Sequence, residues 1–535
     1  MSTSLKKYFS AGTPVKWSAS AENYITESGE LTLDEDTVIN VELLKDTDWI
    51  WTNIPSTIDT SKLTFADGYK PSTNPLATPF SVRDHKHKLT EINLRSTKNP
   101  VTPIEDNYPA ILSTEGLTKM EVYSDFLEKF DIFTKLYKGT HMTPSTSIDN
   151  VGGTLEQIIL SHTPNLTTFS VGGSGKLREL HVDDFSHVTS LNEAFYGNNS
   201  LEYISPMYLD SCTDLSYMFA HCQFPEVPTT LHNTSNVKST AYMFITCKNI
   251  TTVPLFDTSN VTDMYSMFNN CTSLTSVPAF NTQNVTDMRS MFDGCTSLTE
   301  VPLFDTQNVT RMYGMFRGCT SLTTVPLFNI SNVTSIEKMF NNCTSLTSVP
   351  AFNTQNVKEV RDMFSRCTSL TEVSLFDTSN VTDMWSMFRG CSSLTTVPLF
   401  NTQNVTEMRS MFDGCTSLTS VPSFNTQNVK YMSQMFFKCT SLTTVPLFDT
   451  QNVTQAVQMF DKCTSLTDVG GFAGLKVDIN FSDSPLTHDS ALNVIDNLAV
   501  STGHIVNFKK TTFDTLTPED IAKATSKGWE IRSVA

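Results

Sequence analysis

The sequence has little of what catalytic sites are built from. Its ten histidines are scattered, and His85-Lys-His87, the one close pair, reads as an exposed loop rather than a metal site. No Gly-rich phosphate loop, G-x-S-x-G elbow, C-x-x-C pair or H-E-x-x-H helix occurs. Positive charge is also short: 37 Lys and Arg against 55 Asp and Glu leave a net charge of −18. An acidic chain of this kind is a poor partner for nucleic acid or an anionic membrane. No run of about eighteen apolar residues is present to cross a bilayer. After Lys6 and Lys7, the stretch Tyr8-Phe-Ser-Ala-Gly-Thr-Pro14 lacks the apolar run of about seven residues that a secretory signal needs, and no lipobox cysteine lies near the start. The expectation is therefore no enzyme, no cofactor, no metal, no nucleic acid, no membrane insertion, and neither export signal nor anchor.

What the sequence does have is a period. Ten cysteines from Cys247 to Cys463 stand 24 residues apart, the signature of a stacked repeat in which each unit buries its apolar side against its neighbours. One copy runs Cys271-Thr-Ser-Leu274-Thr-Ser-Val277-Pro278-Ala-Phe280-Asn281-Thr-Gln-Asn284-Val285-Thr-Asp-Met288-Arg-Ser-Met291-Phe292. Leu274, Val277, Phe280, Val285, Met288, Met291, Phe292 and Cys295 recur in nearly every copy and are the candidate core, whereas Asp287, Arg289, Ser290 and Asp293 do not recur. Ser-Leu-Thr-Ser-Val predicts a short strand, which Pro278 ends because it has no N–H for the ladder. Asn281 to Asn284 predicts a turn, and Val285-Thr-Asp-Met288 a second short extended piece. Apolar residues at Met288, Met291 and Phe292 predict one helical or 3₁₀ turn.

Polar residues repeat too. Asn284 has equivalents from Asn260 to Asn452, which are expected to be buried and to satisfy backbone groups of the next coil. Asp or Asn recurs at positions such as 257, 281 and 305. Because the G-G-x-G-x-D calcium repeat is absent, these residues read as turn caps. Eleven of the twelve cysteines occupy the place Met-Phe-x-x-Cys, with only Cys212 outside it. Equivalents would stack about 4.8 Å apart, within disulfide range, yet with side chains pointing the same way. They are expected to be reduced, buried and small-hydrophobic in role.

Four regions are expected along the chain. Residues 1–88 lack the repeat, carry Trp17, Trp49 and Trp51, include a Pro71–Pro79 arm, and read as a small β-rich attachment domain. Residues 89–190 hold irregular repeats of the form L-x-x-φ-x-φ (φ apolar) at Leu89–Leu94, Leu117–Val122, Leu166–Val171 and Leu177–Val182. Residues 191–469 are the regular coils. In residues 470–535, Leu492, Ile495 and Leu498 have helical spacing, His504–Phe508 is strand-like, Thr517-Pro518 starts a helix with proline in its first turn, and Trp529-Glu-Ile-Arg is strand-like. That alternation of strands and helices reads as a cap on an open solenoid edge.

The text Asp377-Thr-Ser-Asn-Val-Thr-Asp-Met-Trp-Ser-Met-Phe-Arg-Gly-Cys391-Ser-Ser-Leu resembles the BspA-type leucine-rich repeats of bacterial surface proteins, which also occur in phage and mycoplasma proteins. The resemblance covers about residues 191–469. It departs from the family where Val-Pro-Leu-Phe replaces a longer strand, which bears on curvature. It implies an α/β leucine-rich-repeat solenoid of 24-residue coils, with short parallel strands and short helical turns. The ending Leu516-Thr-Pro-Glu-Asp-Ile-Ala-Lys-Ala-Thr-Ser-Lys-Gly-Trp529 is similar to the terminal segments of leucine-rich proteins of phages of gut bacteria.

One repeat position varies informatively. The residue after the first core methionine reads Tyr265, Arg289, Tyr313, Glu337, Arg361, Trp385, Arg409, Ser433 and Val457 down the stack. Tyrosine, tryptophan and arginine are the residues most enriched at binding hot spots, so Tyr265, Arg289, Tyr313, Arg361, Trp385 and Arg409 are the candidate binding column. The alternative for that column is a solvated ridge with cation–π contacts between coils. The expectation is a non-enzymatic virion-surface protein, a capsid decoration or part of a tail. Its residues 1–88, with Trp17, Trp49 and Trp51, would attach to other virion proteins, and its solenoid would bind a host surface protein or carbohydrate. A bacterial cell-surface adhesin, located extracellularly, and an intracellular interaction scaffold are the alternatives.

Overall fold

The computed structural model describes residues 156–161, 164, 166–173 and 176–535, together with the backbone of the strands Pro14–Ala19, Glu27–Thr32, Ile39–Leu43, Glu91–Ser96, Lys119–Ser124 and Lys129–Asp131. Trp49, Trp51, the Pro71–Pro79 arm and His85-Lys-His87 lie outside the described residues. The chain forms two compact units, Met1–Val261 and Thr262–Ala535.

In the first unit, Pro14–Ala19, which carries Trp17, pairs antiparallel with Glu27–Thr32. Beyond it a parallel sheet runs in the spatial order Tyr203–Ile204, Glu179–Val182, Gln157–Ser161, Lys119–Ser124, Glu91–Ser96, Ile39–Leu43. Its register stacks like on like. Val41, Leu94, Val122, Leu160 and Val182 form one column of aligned positions, so the L-x-x-φ-x-φ spacing sets the register. The expected strand at Leu166–Val171 needs correction. Thr168–Ser170 pairs with Lys129–Asp131 and bridges to Ser190, outside the leucine sheet. Gln157–Ser161 takes the sheet position instead. Phe169 explains the difference: it is buried, edge-on to Phe185 at 5.3 Å, where coils further along place their core methionine.

In the second unit most coils turn through the same sequence of bonds. Consider Met288 to Cys295. The N–H groups of Met288, Ser290, Phe292 and Gly294 donate to the carbonyls of Arg311, Tyr313, Met315 and Arg317 in the next coil at 2.7–3.0 Å. Those of Met291, Asp293 and Cys295 donate three residues back at 3.0–3.3 Å, and the Arg289 N–H donates to Asp287 Oδ1 at 3.1 Å. Each N–H of the segment therefore has a partner, as buried backbone requires. The three-residue spacing of a 3₁₀ turn occurs, but at alternate residues and with left-handed backbone at Ser290 (φ 51°) and Gly294 (φ 77°). The segment is thus a staircase of β-turns, the first and last of which carry the positive third residue of type II, where a helical turn was expected.

The strand side is sparser in main-chain pairing. Thr299 N–H donates to Thr275 O at 3.2 Å, and the same single bond recurs at Thr347, Thr419 and Thr443. A two-residue strand is reached only near the end, where Thr444–Val445 pairs with Asp468–Val469. Inside, the repeating apolar set is buried throughout. Phe268, Phe292, Phe316, Phe340, Phe364, Phe388, Phe412, Phe436 and Phe460 stack ring on ring at 5.5–5.8 Å. Burying each ring contributes roughly 1.5–3 kcal/mol, with stacking adding about 0.5–1.5 kcal/mol.

The ladder continues through Phe481 and Phe508 into a parallel three-stranded sheet of Ile479–Phe481, His504–Lys509 and Trp529–Val534. Helix His488–Asn497 is capped by the Thr487 side chain, and helix Pro518–Ser526 by a reciprocal Thr517–Asp520 box. The expected alternation of strands and helices is present, with an added short helix Lys510–Phe513.

Candidate recognition surface

The repeat cysteines sit at the last step of the staircase, where the Sγ donates to the phenylalanine carbonyl of the preceding coil, whereas Cys212 donates to Asp214 O. Cys295 reaches Phe268 O and Cys319 reaches Phe292 O, both at 3.1 Å. All twelve cysteines are free and buried. Burial pushes the thiols of Cys222, Cys391 and Cys463 up to about 12, which leaves them inert as nucleophiles. Among the described residues, no three His, Cys, Asp or Glu side chains converge as a metal would require, and no helix is long and apolar enough to cross a membrane.

The asparagine ladder forms, but on the outside. Asn308 Nδ2 donates to Gln283 O and Asn332 Nδ2 to Gln307 O, both at 2.7 Å, and the asparagines are exposed. This corrects two expectations: the bond runs to the preceding coil, and the side chain is not buried. The buried polar column is threonine, two residues earlier. Thr282, Thr402 and Thr426 are 1 % exposed and donate to the carbonyls of Asp305, Asn425 and Asp449 at 2.8 Å. Thr306 Oγ1 has no partner, in the coil before the one where Ile330 replaces threonine. The Asp and Asn column caps turns as read: Asp305 Oδ1 accepts from Gln307 N–H and Asp377 Oδ1 from Ser379 N–H.

The six candidate binding residues lie on the turn side, immediately after the first core methionine or, for Arg361, after Val360 at that position. A second column, one residue before that methionine, controls them. Arg289 donates in a fork to Asp287 at 2.6 and 2.9 Å, and its guanidinium lies 4.6 Å over the Tyr265 ring. Arg311 also reaches Asp287, at 3.3 Å. Arg361 binds Asp383 at 2.7 Å. Arg409 forks onto Glu407 at 2.6 and 2.9 Å and lies 5.6 Å from the Trp385 ring centre and 5.1 Å from that of Tyr431. Tyr313 accepts a bond from Lys338 Nζ at 3.2 Å, and Lys338 also pairs with Glu337.

The carboxylates raise the charge retention of Arg289, Arg361 and Arg409, mainly through these hydrogen bonds. Burial works against the charge of Lys338, but its bonds to Tyr313 and Glu337 outweigh burial and push its pKa up. The column therefore comprises two ionic clusters on either side of the Tyr313, Lys338 and Glu337 group. One holds Tyr265, Asp287, Arg289 and Arg311. The other holds Arg361, Asp383, Trp385, Glu407, Arg409 and Tyr431, with Trp385 42 % exposed at its centre. Sequence reading missed Asp287, Asp383, Glu407 and Tyr431 as members. The signal was there in Asp287-Met-Arg289 and Glu407-Met-Arg409, where alternate residues of an extended piece share a side.

These coils define the protein as a leucine-rich-repeat solenoid with a constant interior and a variable turn side. It belongs to the family described as "Mycoplasma protein of unknown function, DUF285", which matches residues 168–277, 275–374 and 369–472. Toll-like receptor 2 of Bos taurus is 34% identical over 70 residues, covering 13% of this chain and 9% of the receptor. The chain thus spans about a tenth of the length of the curated relatives it matches. Among solved structures, a leucine-rich repeat protein from Bacteroides ovatus is 16% identical, with a TM-score of 0.28 over 55% of this chain and 86% of that one. A leucine rich cell surface protein from Faecalibacterium prausnitzii is 17% identical, with a TM-score of 0.30 over 67% and 90%.

Proposed function

We propose that this is a non-enzymatic recognition and adhesion protein displayed on a surface, with the turn side of the solenoid as its binding face. The observation that carries this reading is the cluster around Trp385: a half-exposed indole on a ridge whose ionic groups are already paired. A partner that covers Trp385 buries apolar area without stripping water from an unpaired charge. The arginines contribute as held, planar rims and not as free cations. A protein or carbohydrate of the target surface is the partner class, and residues 1–88 attach the protein to its carrier. The carrier is either a virion, as the ending first suggests, or a cell of the BspA-like type. Deleting residues 1–88 and following incorporation into each separates the two.

The test is the double substitution Trp385→Ala and Tyr313→Ala, followed by binding to a panel of bacterial cells and to immobilised glycans. Attachment should weaken by about 2 kcal/mol or more while the melting temperature holds. Unchanged binding at unchanged stability would make the column a solvated ridge.

A further inference from the structure

The opposite side of the second unit carries a pattern that the turn-side reading does not use. Leu303, Leu327, Leu375, Leu399 and Leu447 occupy one coil position and are 50–66 % exposed. The same position holds Ala279, Ala351 and Ser423, each 72 residues from the next. Glu300 and Glu372, also exposed and 72 residues apart, keep the same period. Two copies of a three-coil repeat, Glu300 to Ala351 and Glu372 to Ser423, are therefore written on this face: an acid with a leucine, a second leucine, then a small residue.

Charge is segregated as well. From the residue after each cysteine to the valine before the staircase, the eight coils between Thr272 and Val453 contain Glu300, Asp305, Glu372, Asp377 and Asp449, and no Lys or Arg. All basic residues of these coils lie on the turn side. The face is thus apolar along its ridge and purely acidic in its charges. Its phenylalanines, such as Phe304 and Phe328, are buried, so a sugar ring finds no exposed aromatic to stack on. A second copy of the chain would bring the same acids against themselves.

We infer that this leucine stripe is a second recognition surface whose occupant is an extended polypeptide segment alternating apolar and basic residues on one side. Spacing supports the occupant. Three coils rise about 14 Å at the strand spacing, and four residues of an extended peptide advance about 13 Å. Two side chains of such a peptide then face each three-coil repeat, one apolar against the leucine pair and one basic against the glutamate.

The test uses the full chain and three labelled peptides, Leu-Ser-Lys-Ser, Leu-Ser-Glu-Ser and Ser-Ser-Lys-Ser, each repeated three times, with fluorescence anisotropy as readout. The parent should bind the first at least about tenfold tighter than the others, as paired apolar and ionic anchors require. The substitutions Leu303→Ala, Leu327→Ala, Leu375→Ala and Leu399→Ala together should abolish that preference at an unchanged melting temperature, since Ala279 and Ala351 already occupy the position in folded coils. Glu300→Gln with Glu372→Gln should weaken the same peptide without touching an apolar residue, which keeps the test valid if the alanine variant folds poorly. Trp385→Ala with Tyr313→Ala should leave peptide binding unchanged, which separates this surface from the turn-side one. Equal binding of the Ser-Lys peptide would reduce the face to unspecific acidity, and equal binding by both variants would overturn the assignment. Dimers of the parent that the alanine variant dissolves would do so too, because a second copy would then cover the stripe.

Discussion

The strand side and the turn side of a single coil are held to the next coil by different groups. On the turn side the main chain does the work: up to four N–H groups per coil reach the neighbouring coil's carbonyls. On the strand side and its bend, side chains do much of it. Thr296 and Thr299 hydroxyls donate to carbonyls of the preceding coil, Thr282 to the following one, and Asn308 to the preceding one. Where side chains make the bonds, their identity is constrained from coil to coil. Where the backbone makes them, the exposed residues are free to differ. That accounts for the monotony of Cys-Thr-Ser-Leu-Thr and for the variety of the column from Tyr265 to Val457.

The largest expected effect probes a place where the turn side also relies on side chains. Arg409→Ala removes the guanidinium fork from Glu407, whose side chain is 8% exposed, and leaves its Oε1 only the main-chain N–H of residue 409, which donates at 2.9 Å. It should cost about 2 kcal/mol, the penalty of a buried carboxylate oxygen, Oε2, left without its partner, reduced by the half-exposed arginine. Arg289→Ala should cost under about 1 kcal/mol, because Arg311 still reaches Asp287. Denaturant midpoints of the two variants check the order; equal costs would show that the acids are not held by these arginines.

A smaller effect tests the side-chain bonds directly. Thr402→Val removes a buried hydroxyl bonded to Asn425 O at 2.8 Å and should cost about 1 kcal/mol. Ser433→Ala, on the turn side, should stay within about 0.5 kcal/mol. If the two variants melt together, the threonine column is filler and not a bonded ladder.

The smallest effect separates the sides by pH. Ser379 hydrogen bonds hold the Asp377 carboxyl below the ordinary aspartate range, so its contribution is present above about pH 3.9 and lost as pH falls through the lower folded-state value. Burial pushes Asp293 up, outweighing the Arg317 guanidinium. Its charge therefore opposes folding as pH rises from about 3.9 through the higher folded-state value. Asp377→Asn should flatten the acid-side loss of stability, and Asp293→Asn should raise stability at neutral pH. Melting curves from pH 3 to 7 that move the same way for both variants would contradict the assigned environments.

The interior was legible because its signal is redundant. Met291, Phe292 and Cys295 recur every 24 residues, and a residue that recurs amid varying neighbours is one that packs on its own copies. The register of the first unit was legible for the same reason, in Leu94, Val122 and Val182. Leu166–Val171 was misread because an isolated L-x-x-φ-x-φ match fits either ladder, and only Phe169 against Phe185 decides. The exposed asparagines were read as buried because a bonded amide and a buried amide look alike in one dimension. The staircase was read as helical because Met288, Met291 and Phe292 have the same spacing in a turn chain, while the left-handed residues are Ser290 in one coil and Lys338 or Asp362 in others.

The sequence alone determined that this protein is a stack of 24-residue coils, which residues line its interior, and that its thiols form a column, since periodic burial leaves a periodic text. Which side of each coil faces water, and which charges are spent on one another, came only from the tertiary structure. Arg289 and Asp287 lie two residues apart in one coil, but the Tyr265 ring beneath their fork, the pair of Arg361 with Asp383 and the leucine stripe exist only once successive coils are set in register. Exposure and pairing depend on neighbours 24 residues away, and no single coil encodes them.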